Sequence, residues 1–250
     1  MKRYIFLLCV FIILGSLQAA LIHQWTFNNT LEDSVGNADL TLINGAQLVN
    51  GSLVVNGNSQ YATTATLHET VGARTLMVWV SLATLSQGAG GVISLDKSYT
   101  DAGAYTHTNF DSIVFSENYA QKWQAGSEYG TRNYDVGGPV ETLTSEVCIA
   151  ISYAADNSIT IYRNGAIYGS SYTKASLITY QNDFRVLFGY RHMNAGSGFI
   201  NASINEGRIY NTSLTASEIQ SIYNTGTVPE PSTALLFALV LGFFFYSRKK

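Results

Sequence analysis

Leu40-Thr41-Leu42-Ile43-Asn44-Gly45-Ala46-Gln47-Leu48-Val49-Asn50-Gly51-Ser52-Leu53-Val54-Val55-Asn56-Gly57 sets three short apolar runs against three Asn-Gly pairs. Asn-Gly supplies the positive φ angles that tight turns need, so the stretch predicts closely spaced short strands. Working outward, similar runs recur at 75–80, 92–95, 112–115, 147–153, 159–162, 186–188 and 199–210, separated by turn residues. Such spacing predicts an all-β sandwich of two antiparallel sheets. One helix interrupts the pattern. Thr215-Ala216-Ser217-Glu218 reads as a capping box, with Leu214 and Ile219 as a staple, Ile222 and Tyr223 on the apolar face and Gly226 as the stop.

Composition agrees. The 250 residues include 16 Tyr and 22 Gly but 3 Pro, a balance suited to strands joined by glycine turns. Charged residues make up 12% of the chain and the formal net charge is -3, which argues against a nucleic-acid surface. Of the two cysteines, Cys9 falls in an apolar leader, leaving Cys148 inside Val147-Cys148-Ile149-Ala150-Ile151 as a small core hydrophobe.

The two ends predict export. Lys2 and Arg3 precede an apolar stretch over 4–14, then small residues at Gly15, Ser16, Ala19 and Ala20, the layout of a secretory signal peptide handled by the Sec machinery. A retained amino-terminal helix is the alternative. At the other end Val228-Pro229-Glu230-Pro231-Ser232 leads into an uncharged apolar run over 233–246, expected as a tail helix, and closes on Arg248-Lys249-Lys250. The prolines enforce an extended peptide, and the basic cluster suits the cytoplasmic side of a membrane. The run is shorter than the roughly 20 residues of an ordinary span, which argues mildly against a plain tail anchor. These three parts in this order resemble the PEP-CTERM sorting signal of bacterial surface proteins. The resemblance implies recognition by an exosortase, a membrane-embedded transpeptidase, with cleavage near Pro229, Glu230 and Pro231. The expected organisation is a signal peptide at 1–20, one domain at 21–227 and the sorting signal at 228–250. The protein is then transiently membrane-anchored and ends at the cell surface or in the extracellular matrix.

Several segments of the central domain are similar to a laminin-G-like domain, the concanavalin A-like jelly roll. They are Trp25-Thr26-Phe27 with Asp33-Ser34-Val35-Gly36-Asn37, Arg74-Thr75-Leu76-Met77-Val78-Trp79-Val80, Ile159-Thr160-Ile161-Tyr162-Arg163-Asn164-Gly165, and Ile204-Asn205-Glu206-Gly207-Arg208-Ile209-Tyr210-Asn211. The resemblance implies an inward Trp79 and a closing strand followed by the capped helix. It also implies calcium as a possible cofactor, although Asn205 stands where an acidic residue is common. Gly207 replaces an apolar residue and marks a bulge or a close backbone approach.

This sandwich carries lectins, spacers and hydrolases alike, so function must come from a site. A retaining glycosidase needs two carboxyl groups about 5 to 5.5 Å apart. No strand places two acids at alternating positions, and adjacent Glu32 and Asp33 read as part of a turn. His23, His68, His107 and His192 are scattered and are expected at the surface or at strand edges. A binding role has a positive signal. Tyr99, Tyr105, Tyr119, Trp123, Tyr129 and Tyr134 interleave with Asp96, Asp101, Asn109, Glu117 and Asn133. Aromatic faces stack on sugars while amides and carboxylates fix hydroxyls, so Tyr99, Tyr105, Trp123, Tyr129 and Tyr134 are the candidate glycan residues. Asp96, Asp101, Asn109 and Asp111 supply hard oxygen donors for calcium, without the spacing of an EF-hand loop and with no ligand set assigned. The expected function is adhesion or binding of extracellular polysaccharide by a non-catalytic domain. A purely structural matrix role and glycan hydrolysis are the alternatives.

Overall fold

A computed structural model describes residues 20–97, 109–193 and 195–227 of the chain. All lie in one compact unit, Ala19–Pro229. Of the signal peptide expected at 1–20, residues 1–19 fall outside the described residues, as does the whole expected sorting signal at 228–250. Among the described residues no helix is long and apolar enough to cross a membrane.

The strands in chain order are β1 (Leu21–Trp25), β2 (Leu40–Ile43), β3 (Gln47–Val49), β4 (Ser52–Asn56), β5 (Tyr61–Thr64) and β6 (Thr70–Val71). Then come β7 (Arg74–Leu82), β8 (Gly90–Asp96), β9 (Phe110–Phe115), β10 (Trp123–Ser127), β11 (Val147–Tyr153) and β12 (Ser158–Arg163). The last are β13 (Ala166–Ile167), β14 (Tyr172–Thr173), β15 (Tyr180–Gln181), β16 (Arg185–Phe188) and β17 (Asn201–Tyr210), followed by helix α1 (Ala216–Thr225). One sheet runs β13-β12-β11-β7-β17-β4-β3, with β1 beside β17 and β14 beside β12; the other runs β10-β9-β8-β16-β5-β2. Every pairing in both is antiparallel. This is the expected jelly-roll sandwich with one short helix.

The Asn-Gly pairs divide into two kinds. Asn50 and Gly51, at φ 50° and 80°, close the β3–β4 hairpin, in which Val49 faces Ser52. Asn44-Gly45 and Asn56-Gly57 instead carry the chain from one sheet to the other, because β2 pairs with β5 whereas β3 and β4 belong to the larger sheet. The same local turn chemistry serves both, and only the sheet assignment of the flanking strands separates them.

Between the sheets lies a core that includes Trp25, Leu53, Val78, Ile93, Phe115, Ile149, Phe188 and Ile204. The alternation of β7 sends Leu76, Val78, Val80 and Leu82 into it. Met77 goes to a second cluster with Cys148, Ala150, Tyr162, Tyr210, Leu214, Ile219 and Ile222, against which Trp79 packs. Trp79 is therefore not the inward residue that the resemblance implies. It sits on the helix side of the sheet under the Arg208 guanidinium, 5.0 Å from its ring centre. Burial pushes the Cys148 thiol up to about 12 against the opposing charge of Arg208, so it is an inert core group.

Helix α1 begins at Thr215, whose hydroxyl accepts from the Glu218 amide while the Glu218 carboxylate accepts from the Thr215 amide at 2.7 Å. It ends at Gly226 in the left-handed conformation, φ 79°. Tyr223 departs from the expected apolar face and is 40% exposed. In β17 the register slips between Ile204 and Glu206, leaving Asn205 in a bulge beside Gly207. A Cβ on Gly207 would stand 2.4 Å from the Phe188 ring, so this glycine marks a close approach of the strand to the core.

Candidate functional site

The strands β8, β9 and β10 are buried along their whole length, on both faces of the smaller sheet. One face meets the core. On the other, the segment after β16 lies against β8, with the Gly91 amide donating to the Gly198 carbonyl at 3.2 Å. On that face Ser94 Oγ donates to Ser112 Oγ at 2.7 Å, whereas on the core side Tyr180 Oη donates to Asp111 at 3.0 Å.

At this end a cleft of about 570 Å³ is lined by residues that include Phe110, Glu117, Asn118, Tyr129, Arg191 and His192. Gln124, buried on β10, organises its rim. Its Oε1 accepts from the amides of Glu117, Asn118 and Tyr119, and its Nε2 donates to Asn133 Oδ1 at 2.8 Å. Glu117 in turn accepts from Arg191 Nη1 at 2.7 Å and from Asn133 Nδ2 at 2.5 Å. The His192 ring stacks on Phe110 with centroids 4.4 Å apart. Burial, then the Arg191 charge, holds its pKa down at about 4, so the cleft presents a neutral imidazole at neutral pH.

Tyr129 stands at this cleft with 92% of its surface exposed. Its backbone is left-handed, φ 49° and ψ 21°, a conformation that costs a non-glycine residue about 1 kcal/mol or more. The strain is held by a short helical turn, Glu128–Gly130, anchored by Arg132, whose Nη1 donates to Glu128 Oε1 at 2.7 Å.

The other aromatic candidates separate. Trp123 is 1% exposed, tilts against Phe115 and donates from Nε1 to Glu141 Oε1 at 2.7 Å. It is a core residue at the start of β10 and offers no face to a sugar. Tyr134 is 49% exposed and leans on Tyr172 with ring centres 5.3 Å apart, outside the cleft lining. Tyr99 and Tyr105 lie outside the described residues, as does Asp101.

Of the calcium donors, Asp111 is fully buried and already engaged. Oδ1 accepts from Arg132 Nε at 2.8 Å, and Oδ2 from Arg74 Nη2 and Tyr180 Oη. Asp96 is buried at the end of β8, where its carboxylate accepts from the Met193 amide at 3.4 Å. Among the described residues no group of three or more His, Cys, Asp or Glu is placed to hold a metal ion. Of the histidines, His68 is exposed as expected, His107 lies outside the described residues, and two depart from expectation. His23 and His192 are 5% and 7% exposed, which places both inside the fold. Gln124 and Arg191 were not singled out from the sequence. Gln124 sits on a short strand that no apolar run announced, and Arg191 likewise had no signal.

Fold and cleft together define a jelly-roll sandwich with a polar, aromatic-edged hollow on its smaller sheet. Residues 56–220 match the model of the concanavalin A-like lectin/glucanases superfamily, and the chain belongs to that family. Residues 227–250, which include Pro229, Glu230 and Pro231, match the PEP-CTERM protein-sorting motif, which implies export, membrane anchoring and processing by exosortase. No curated protein matches the chain.

Solved structures share the fold at low identity. Domain 4 of AbnA, a GH43 extracellular arabinanase from Geobacillus stearothermophilus, in complex with arabinotriose, is 18% identical with a TM-score of 0.60, over 82% of this chain and 98% of that one. Trypanosoma rangeli sialidase in complex with sialic acid is 16% identical with a TM-score of 0.59, over 81% of this chain and 32% of the sialidase. The binding domain of Paraclostridial Mosquitocidal Protein 1 is 16% identical with a TM-score of 0.57, over 82% and 52%. The chain thus spans about a third of the sialidase.

Proposed function

We propose that this protein is an exported surface or matrix component whose sandwich binds carbohydrate without cleaving it. In this reading a signal peptide at 1–20 directs it to the Sec machinery, and exosortase removes the apolar tail. The domain is then left at the cell surface or in the extracellular polysaccharide. The observation that carries the reading is Tyr129, an aromatic ring held in a strained left-handed backbone and exposed at a polar cleft. Strain of this kind clusters at ligand clamps. The ring offers a stacking face, while Asn118 and the Glu117–Arg191 pair offer hydrogen bonds to hydroxyl groups. The likeness to an arabinanase domain solved with arabinotriose supports a sugar ligand, since nearly the whole of that domain is matched. Glu117 is the carboxylate among the described lining residues and is paired with Arg191, whereas glycosidases use two carboxyl groups.

The test is retention of the full chain on immobilised polysaccharides, arabinan included, with released reducing sugar assayed in parallel. We expect retention without release, and a loss of about tenfold in affinity, near 1.4 kcal/mol, for Tyr129→Ala. Retention unchanged in that variant would remove the cleft, and sugar release would replace binding by hydrolysis.

A further inference from the structure

In a second hollow that shares no lining residue with the cleft, His23 sits on β1 with its ring stacked on Trp25, centroids 5.5 Å apart. Its Nδ1 is 2.5 Å from Asp33 Oδ2 and its Nε2 is 2.6 Å from Glu69 Oε1. A neutral imidazole has one N–H and one lone pair, whereas an ionised carboxylate only accepts. With a carboxylate at each nitrogen, both bonds form when both nitrogens carry a proton. Asp33 is held ionised by its surroundings. Its Oδ1 accepts from the amides of Gln24, Val35 and Gly36, and its Oδ2 from Ala38. Burial opposes that charge, but these bonds and His23 together keep the carboxyl below its ordinary value. The packing around the pair is tight: a Cβ on Gly36 would stand 2.6 Å from Asp33 Oδ2 and 2.7 Å from His23 Nδ1.

We infer that His23 is built into the fold as an imidazolium clasp, tying β1 and the Asp33 turn to the segment that enters β6, and that this joint loosens when the ring loses a proton. The ionised groups facing the ring are Asp33 from the turn and Glu69 from the segment before β6. His68 lines the same hollow with its Nδ1 3.1 Å from the Asn182 carbonyl oxygen, and β17 sets Ile209 opposite His23 in register. Three parts of the chain that are distant in sequence therefore meet at one proton-dependent group.

The direction of the pH effect follows. Burial weakens proton binding, but the hydrogen bonds and charges of Glu69 and Asp33 more than offset it, so the ring titrates above 6.5. A group whose proton affinity rises on folding stabilises the fold fully below its unfolded value and loses that contribution as pH climbs through its folded value. Each unit of elevation means about tenfold tighter proton binding by the folded chain.

The test is a pH titration of the full chain labelled with ¹⁵N-histidine. His23→Gln assigns the resonances, or, if that variant does not fold, the signal that moves in Glu69→Gln does so. We expect both ring nitrogens of His23 in the protonated range at pH 6.5, with a midpoint above that value. In Glu69→Gln, which keeps an acceptor and loses the charge, the midpoint moves down. Thermal unfolding of the wild type and Glu69→Gln supplies an independent readout, with the gap in Tm closing as pH rises through the wild-type midpoint. A neutral-tautomer pattern at pH 6.5, an unmoved midpoint in Glu69→Gln, or a Tm gap constant across the titration would each overturn the clasp.

Discussion

Trp123 and Tyr129 stand six positions apart in sequence and at opposite extremes of exposure, 1% and 92%. Both carry an aromatic ring beside polar residues, and in a linear reading both suit a sugar platform. The difference is set by Glu141. Its carboxylate accepts the Trp123 indole N–H at 2.7 Å and is clamped by Arg163 at 2.6 and 2.8 Å, which fixes the indole inside the sandwich. Trp123→Ala is expected to cost about 3 to 5 kcal/mol, through the cavity and the lost indole hydrogen bond to Glu141. Tyr129→Ala is expected to stay within about 0.5 kcal/mol. Chemical denaturation of the two variants measures both. Residue type was legible in the sequence, but the side of the sheet was not, because Glu141 reaches the indole from a loop outside any strand pattern.

Helix α1 and strand β17 show how far local rules carry at the scale of elements. The capping box and the Gly226 stop involve groups within a dozen residues, and both form as the sequence implies. Gly207 is different. Its backbone approaches Phe188, which belongs to β16 in the opposite sheet, and the bulge at Asn205 lets β17 bend there. Gly207→Ala should destabilise by about 1 to 3 kcal/mol through overpacking, with part of that loss removed in a Phe188→Leu background. A double-mutant cycle in urea tests this. Equal penalties in both backgrounds would mean that the ring is not what the new methyl group meets. The need for glycine was visible in the sequence, whereas its partner was set by sheet stacking. The same holds for the Asn-Gly pairs, which announced turns but not which turns change sheet.

Across the whole molecule the two sheets are joined by ionic chemistry as well as apolar packing. Asp111 on β9 receives Arg74 from β7 of the other sheet and Arg132 from the turn after β10. The Arg74 guanidinium lies between the rings of Tyr153 and Tyr180, 4.7 and 4.9 Å from their centres. Arg132 loses by burial but gains more from Asp111 and Glu128, which raises its pKa above the ordinary guanidinium value. Removing the shared carboxylate strands the buried Arg74 and leaves Arg132 to Glu128 alone. Asp111→Asn is therefore expected to cost about 3 to 5 kcal/mol in a thermal or urea melt. A loss below 1 kcal/mol would mean that the guanidinium groups find other partners.

By itself the sequence determined the all-β class, the turns, the capped helix and the carboxyl-terminal sorting motif. Each of these depends on short-range backbone preferences and on runs of hydropathy. Only the tertiary structure decided that Trp123 is core, that Asp111 is an ion-pair hub, that His23 lies between two carboxylates and that Tyr129 edges a cleft. Those outcomes depend on which residues distant in the chain are brought within hydrogen-bond reach. That proximity is set by sheet order and stacking, and no local pattern of residue types encodes it.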